Sequence, residues 1–228
     1  MTKHYTRKLT PLFTLRGKPR NKTRSKRMNY LTNIIPEPLM FTNKPSAHGL
    51  GAFAIKYIPI NTIILKEKPY NLVKEYDESY IYLLIRAFLR NKVYFKQFVS
   101  LVPIKIDLKD KTIISYDLLK DGHEKYLPEL TKNQMILCYM KLKRNMFKFN
   151  NSPGICFIGT RINHSCDPNV TYYKDDNKLV FKTIKSINKD EELLESYINY
   201  DLPKSERQKL LLERYGFVCK CNKCMSEE

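Results

Sequence analysis

Arg161-Ile-Asn163-His-Ser-Cys166-Asp-Pro-Asn169 sets a thiol and an imidazole side by side in a polar turn. Asn163 suits such a turn, because its amide can satisfy nearby backbone. Near the C-terminus, Cys219-Lys-Cys221-Asn-Lys-Cys224 places three more thiols close together. Structural zinc takes four tetrahedral ligands and favours thiolates, so this run needs one ligand from elsewhere. Cys138 lies on an apolar helix face and Cys156 in the apolar run Ile155-Cys-Phe-Ile158, so both read as core. Cys166, in its polar turn, is the best fourth ligand, with His164 as the alternative and a reduced, metal-free cluster as the bland reading.

Outward from these two runs, the pattern alternates between strands and helices. Residues 38–72 read as turns and short strands, with a tight turn at Gly49-Leu-Gly51 and a β-branched strand at Thr62-Ile-Ile-Leu65. Ile81, Leu84, Ile85 and Phe88 then repeat at helical spacing, as do Met135, Cys138, Tyr139 and Leu142, with Thr131 placed to cap the second helix. From about 153 the pattern is strand-like again. Leu179, Phe181 and Thr183 are expected on one face, against Val180 and Lys182, after a turn at Asp175-Asp-Asn177. A last helix starts near Pro203, presents Leu210, Leu211 and Tyr215 along one face, and stops at Gly216.

The 228 residues carry 41 Lys and Arg against 23 Asp and Glu, a net charge of +18, with 43% hydrophobic residues. That composition supports a packed core and excludes a wholly disordered, collagen-like or coiled-coil chain. The longest uncharged stretch, around Phe149–Thr160, is shorter than the roughly 18 apolar residues that span a bilayer. No signal-peptide core follows the N-terminus, so no membrane partner is expected and the cysteines are expected in a reducing, intracellular compartment. Residues 1–28 hold ten basic residues, and the first acidic residue is Glu37. Residues 1–36 are therefore expected to be a disordered basic tail. Its readings are a solvated tail, an arm for nuclear import or nucleic-acid contact, or a mitochondrial presequence, the last opposed by Pro11 and Pro19.

The Arg161–Asn169 run resembles the RxNHSCxPN signature of SET-domain protein lysine methyltransferases. Three further runs resemble that family in the same order. They are His48-Gly-Leu-Gly-Ala-Phe-Ala54, Asp190-Glu-Glu-Leu-Leu-Glu-Ser-Tyr-Ile198, and the YGFxCxCxxC ending Tyr215–Cys224, typical of its SMYD-like branch. The resemblance implies an α+β chain whose mainly-β SET domain (a β-clip) spans 37–215. A helical insert would occupy about 74–147, and 216–228 would form a zinc-bound post-SET tail. It implies S-adenosylmethionine as cofactor, bound by Gly49, Gly51, Asn163, His164, Tyr215 and Phe217, with Phe217 on the adenine. Tyr197 would be the catalytic tyrosine and Tyr215 would line the lysine channel with it. Cys166, Cys219, Cys221 and Cys224 would hold one structural zinc, which agrees with the direct reading of the cysteines. Asn145 is aligned loosely with an asparagine near the cofactor.

The departures are as specific. Only Cys138 lies between 67 and 150, so no MYND zinc module can form, and the branch's long C-terminal helical domain is expected to be absent. Glu195 stands where an aromatic residue is common, two places before the tyrosine.

These residue types suit methyl transfer to lysine. A lysine amine is protonated at neutral pH, and an apolar channel beside a sulfonium lowers its pKa by desolvation and like charge. Tyrosines give such a channel apolar walls and orienting hydroxyls. Backbone and phenol oxygens can accept weak CH···O contacts from the methyl, and in-line positioning carries much of the rate. The expected activity is lysine methylation of a protein substrate, with histone tails as the first guess and nuclear placement ahead of cytoplasmic. The alternative is a catalytically silent SET-like scaffold binding chromatin or nucleic acid.

Overall fold

The computed structural model describes residues 39–46, 49–71, 79–107, 110, 112–149 and 153–227. The expected basic tail 1–36, His48 and the opening of the expected insert at 74–78 lie outside the described residues.

Short strands come first: β1 (Phe41–Ser46), β2 (Gly49–Ala54) and β3 (Ile63–Glu67). The helical insert follows as α1 (Tyr80–Arg90), α2 (Lys92–Val99), α3 (Lys120–Tyr126) and α4 (Lys132–Asn145). Then come β4 (Met146–Phe147), β5 (Gly154–Ile155), β6 (Asn163–His164), β7 (Val170–Asp175), β8 (Lys178–Thr183) and β9 (Glu192–Glu195). The chain closes with α5 (Lys204–Tyr215) and α6 (Asn222–Ser226). Three small sheets result, with strand orders β1-β2-β9-β6, β3-β8-β7 and β4-β5. In the first, β6 runs parallel to β9, pairing Asn163 with Leu194 and His164 with Glu195, so the polar turn of the sequence is pinned to the strand leading into Tyr197.

The sheets share one apolar core built from Ala52, Ala54, Ile58, Leu65, Ile162, Val170, Phe181 and Leu193. β8 departs from the expected alternation. Val180 is buried along with Leu179, Phe181 and Thr183, because β8 is the middle strand of its sheet and is covered on both faces.

The insert forms where its periodicity places it. Tyr80, Ile81, Leu84, Ile85 and Phe88 bury one face of α1. α4 opens with a reciprocal capping box, in which Gln134 N donates to Thr131 Oγ1 at 3.3 Å and Thr131 N donates to Gln134 Oε1 at 2.8 Å. It stops at Asn145, two residues before the expected edge, because Met146 and Phe147 pair with Ile155 and Gly154. On the apolar face of α4 sits Lys141, whose ammonium donates to the carbonyls of Val99 (3.0 Å), Leu101 and Pro103 (2.8 Å) and so fastens the 99–103 loop to the helix. Burial pulls Lys141 down to about 8.

In α5 the buried positions are Arg207 and Leu211, with Leu210 only partly covered. Gly216 ends the helix at φ +79°, a left-handed conformation that favours glycine.

Candidate active site

The Asn163-His164 turn, Tyr197 at the end of β9, Tyr215 at the end of α5 and the terminal thiols meet in one place. Tyr197 N donates to His164 Nδ1 at 3.1 Å, which leaves the proton on Nε2, 3.4 Å from Cys166 Sγ. The His164 ring thus joins the backbone of Tyr197 to the thiol cluster. Tyr197 Oη donates to Ile162 O at 3.0 Å, and Tyr215 Oη donates to Tyr197 O at 3.4 Å. The two phenol rings lie 5.0 Å apart, and Phe217 lies 5.8 Å from the His164 ring. Burial, reinforced by Glu195 and Tyr215, pushes the Tyr197 phenol well above its ordinary value, so it stays protonated.

A pocket of about 60 Å³ opens against these rings, lined among others by Asn145, Tyr172, Glu195, Tyr197 and Tyr215. That volume suits the tip of an aliphatic amine and is far too small for a nucleoside. Asn145 turns its amide N–H groups to Val102 O and Lys141 O, both at 2.7 Å, so it braces the wall of the pocket.

The two glycines of the Gly49-Leu-Gly51 turn differ. Gly49 has φ +108° and open space where a side chain would project. At Gly51 a Cβ would collide with Glu192 Oε1 and Asn163 Nδ2, so the missing side chain makes room for these partners. Asn163 Nδ2 donates to Glu192 Oε1 at 2.8 Å and to Leu50 O at 3.3 Å, which ties the turn to β2 and β9.

The sulfurs of Cys166, Cys219, Cys221 and Cys224 all lie within 4.8 Å of one another, and His164 stays outside the set. Four sulfurs at 2.3 Å from a tetrahedral zinc are about 3.8 Å apart, so these four could close on such an ion with small shifts. Burial pushes the Cys221 thiol up, but hydrogen bonds from the backbone N–H groups of Cys224 and Cys166 outweigh it and bring it to about 7.

Three polar residues with no motif complete the frame. Arg207, 2% exposed, donates to Leu202 O at 2.5 Å and to Cys224 Sγ at 3.7 Å, and pairs with Glu227, setting a cation beside the thiols. Arg144 pairs with Asp110 and donates to Thr112, and the pair packs against Gly216, joining the insert to the tail. Glu67 accepts from the backbone N–H of Ile158 (3.1 Å) and Gly159 (2.9 Å), anchoring the turn that leads into Asn163. Arg207 had one sequence signal, its place four residues before Leu211 on the buried face of α5; Glu67 and Arg144 had none.

The SET domain family pattern matches residues 49–198. The chain belongs to the SET-domain family. A mimivirus protein of Acanthamoeba polyphaga mimivirus, "Putative SET domain-containing protein L678", is 29% identical over 191 residues, covering 79% of this chain and 75% of that protein. Histone-lysine N-methyltransferase set5 of Schizosaccharomyces pombe is 39% identical over 77 residues, 33% of this chain and 24% of that protein. Among solved structures, the SET domain of LSMT bound to lysine and AdoHcy superposes with a TM-score of 0.60 at 17% identity, covering 82% of this chain and 55% of that one. Rubisco LSMT bound to AdoMet gives 0.60 at 21%, covering 85% and 55%. The chain thus spans about half of the LSMT chains and a quarter of set5. Cys138 is the one cysteine between 67 and 150, so that stretch holds no MYND zinc module.

Proposed function

We propose that this chain transfers the methyl group of S-adenosylmethionine to the ε-amine of a protein lysine. The observation that carries the reading is the meeting of Tyr197 and Tyr215 around a pocket of about 60 Å³, beside the Asn163-His164 turn and the aromatic tail. The structures of LSMT with lysine and with AdoMet, and the histone-lysine methyltransferase set5, support the reaction class.

The cofactor supplies an electrophilic methyl on a sulfonium. Gly49, the backbone of Asn163 and His164, Tyr215 and Phe217 would border it, while the Asn163 side chain, held over Gly51, fixes the turn. Tyr197 and Tyr215 wall the channel and strip water from the amine. Both phenol protons are spent on backbone carbonyls, so the phenol oxygens are left as acceptors. The amine is thereby oriented and, by desolvation, shifted toward its neutral nucleophilic form. Cys166, Cys219, Cys221 and Cys224 would hold one zinc with a structural part, away from the reacting atoms. In this reading histone tails are the first substrate to try, the nucleus the first place to look, and the ten basic residues of 1–28 the surface for nucleic acid.

The test is labelled-methyl incorporation into core histones and a cell lysate, wild type beside Tyr197→Phe. Incorporation in the wild type with a loss of about 100-fold or more in the variant is expected, since the phenol orients the reacting amine. Equal incorporation refutes the role of Tyr197. No incorporation and no cofactor binding favours the silent scaffold.

A further inference from the structure

Glu195 ends β9, two residues before Tyr197, and lines the same pocket as Tyr172, Tyr197 and Tyr215. It is 3% exposed, and its Oε2 has no hydrogen-bond partner among the described residues. Burial holds its carboxyl well above the ordinary value, because an ionised carboxylate is strongly unfavourable there, and an apolar side chain would fill the same space without that cost. Its surroundings make the burial harder still. Tyr172, Tyr197, Tyr215 and the Cys156 thiol lie close enough for the charge of Glu195 to push each of them upward. Arg144, the one cation among the residues that line the pocket, is engaged by Asp110 and Thr112. The phenol protons of Tyr197 and Tyr215 point at backbone carbonyls. The donors of Arg144, Tyr197 and Tyr215 are therefore turned to partners other than Glu195. What fits there is a group that brings its own N–H and its own positive charge.

We propose that Glu195 receives the target ε-amine and limits how many methyl groups it takes. This rests on the lysine methyl-transfer reading above. The arriving ammonium has three N–H donors, and its charge favours the ionised carboxyl, which releases its proton to solvent and pairs with it. In the reacting form, after the ammonium has released one proton to solvent, an unmethylated lysine keeps two N–H groups, a monomethylated one keeps one, and a dimethylated one keeps none. The free oxygen can hold the first two forms with the nitrogen lone pair turned toward the methyl donor, and it has nothing to hold in the third. The enzyme therefore makes mono- and dimethyl-lysine and no trimethyl-lysine. Glu195 is a specificity-determining residue, and Tyr197 keeps its separate role.

The experiment incubates wild type, Glu195→Gln and Glu195→Leu to exhaustion with recombinant core histones and a lysate. Hydrolysed products are then resolved into mono-, di- and trimethyl-lysine. Glu195→Gln keeps an acceptor oxygen and loses the charge, so its KM is expected to rise about tenfold with the product set unchanged. Glu195→Leu loses both, so trimethyl-lysine is expected to appear. Melting curves check that both variants fold, and the leucine variant should fold at least as well as wild type. A second measurement needs no methyl transfer: binding of n-butylammonium and of N-butyltrimethylammonium, followed by ligand-observed NMR. Wild type should prefer n-butylammonium by about tenfold, and Glu195→Leu should show no preference. Trimethyl-lysine from wild type, or an unchanged product set with the leucine variant, overturns the proposal. Should wild type transfer no methyl at all, the function reading falls, and the two amines still decide whether Glu195 is an ammonium-docking group: equal binding to wild type overturns it.

Discussion

Removing the metal from the four-thiol cluster should unfasten the tail and leave the sheets standing. Residues 217–227 are held by the small cluster around Leu211 and by a few polar contacts to the rest of the chain. Gln208 exchanges two 2.8 Å hydrogen bonds with the backbone of Cys219, Arg207 pairs with Glu227, Lys204 donates to Glu227 O, and Lys223 donates to Tyr200 O at 2.8 Å. At about 1 kcal/mol for each of the two neutral bonds and about 1.5–3 kcal/mol for each of the three charged ones, these come to roughly 6–11 kcal/mol. Ordering those residues costs roughly 11–22 kcal/mol of backbone entropy. Packing of Phe217, Cys219 and Cys224 around Leu211 adds to the favourable side. A structural zinc, about 10–16 kcal/mol in small domains, is of the same size as these opposing sums, so its loss decides whether the tail stays ordered. The purified chain should hold one zinc by elemental analysis. After strong chelation, hydrogen exchange should show the amides of 217–227 unprotected and those of 179–183 still protected, because the sheet core and the cluster around Leu211 are separate. Calorimetry should show cofactor affinity down by about tenfold or more, since Phe217 lies two residues before the first tail thiol. A chain that holds no zinc and whose tail stays protected in chelator would refute this reasoning.

Gly216→Ala should destabilise the fold by about 1–3 kcal/mol, because φ is +79° and the new Cβ would lie 2.7 Å from the Arg144 guanidinium. At about 2–4 °C per kcal/mol for a chain of this size, the melting temperature reads it, and a shift under about 1 °C contradicts it. Glu67 gives a pH dependence. Burial lifts its carboxyl from 4.5 to about 7, so the folded state binds the proton more tightly than the unfolded one. Its contribution is fully present below about 4.5 and is lost as pH rises through about 7, a change of up to roughly 3 kcal/mol. Denaturant unfolding at pH 5 and pH 8 should show wild type losing more stability than Glu67→Gln across that interval, and equal losses would show that Glu67 stays ionised in both states.

The sequence exposes those parts of the molecule whose partners are near in the chain or whose chemistry is rare. Thr131 and Gln134 cap α4 across three residues, and four thiols have few roles other than to meet. The long amphipathic helices α1 and α4 follow from spacing. The shorter α2 and α3 do not, since α2 buries only Phe98 and α3 only His123. What stays hidden has one physical character: a polar side chain on an apolar face, satisfied from far away. Lys141 occupies the buried face of α4 because carbonyls some forty residues earlier in the chain receive its ammonium. Arg207 replaces an aliphatic residue one turn before Leu211 because the thiols, Leu202 O and Glu227 surround its guanidinium. Periodicity reads such positions as exposed or as exceptions, since their long stems pack like hydrocarbon while their heads find distant oxygen or sulfur. Gly51 shows the same limit from the other side. The turn asks for a small residue, but only the fold shows that Glu192 and Asn163 fill the space. Glu195 differs from all of these. Lys141 has its hydrogen bonds inside the protein and Arg207 has those of its two Nη atoms there, with Nε unpaired, whereas Oε2 of Glu195 lines a pocket with no partner among the described residues. A buried polar group whose head the fold receives is explained by stability, and Glu195, whose unpaired oxygen lines a pocket, is explained by what comes in.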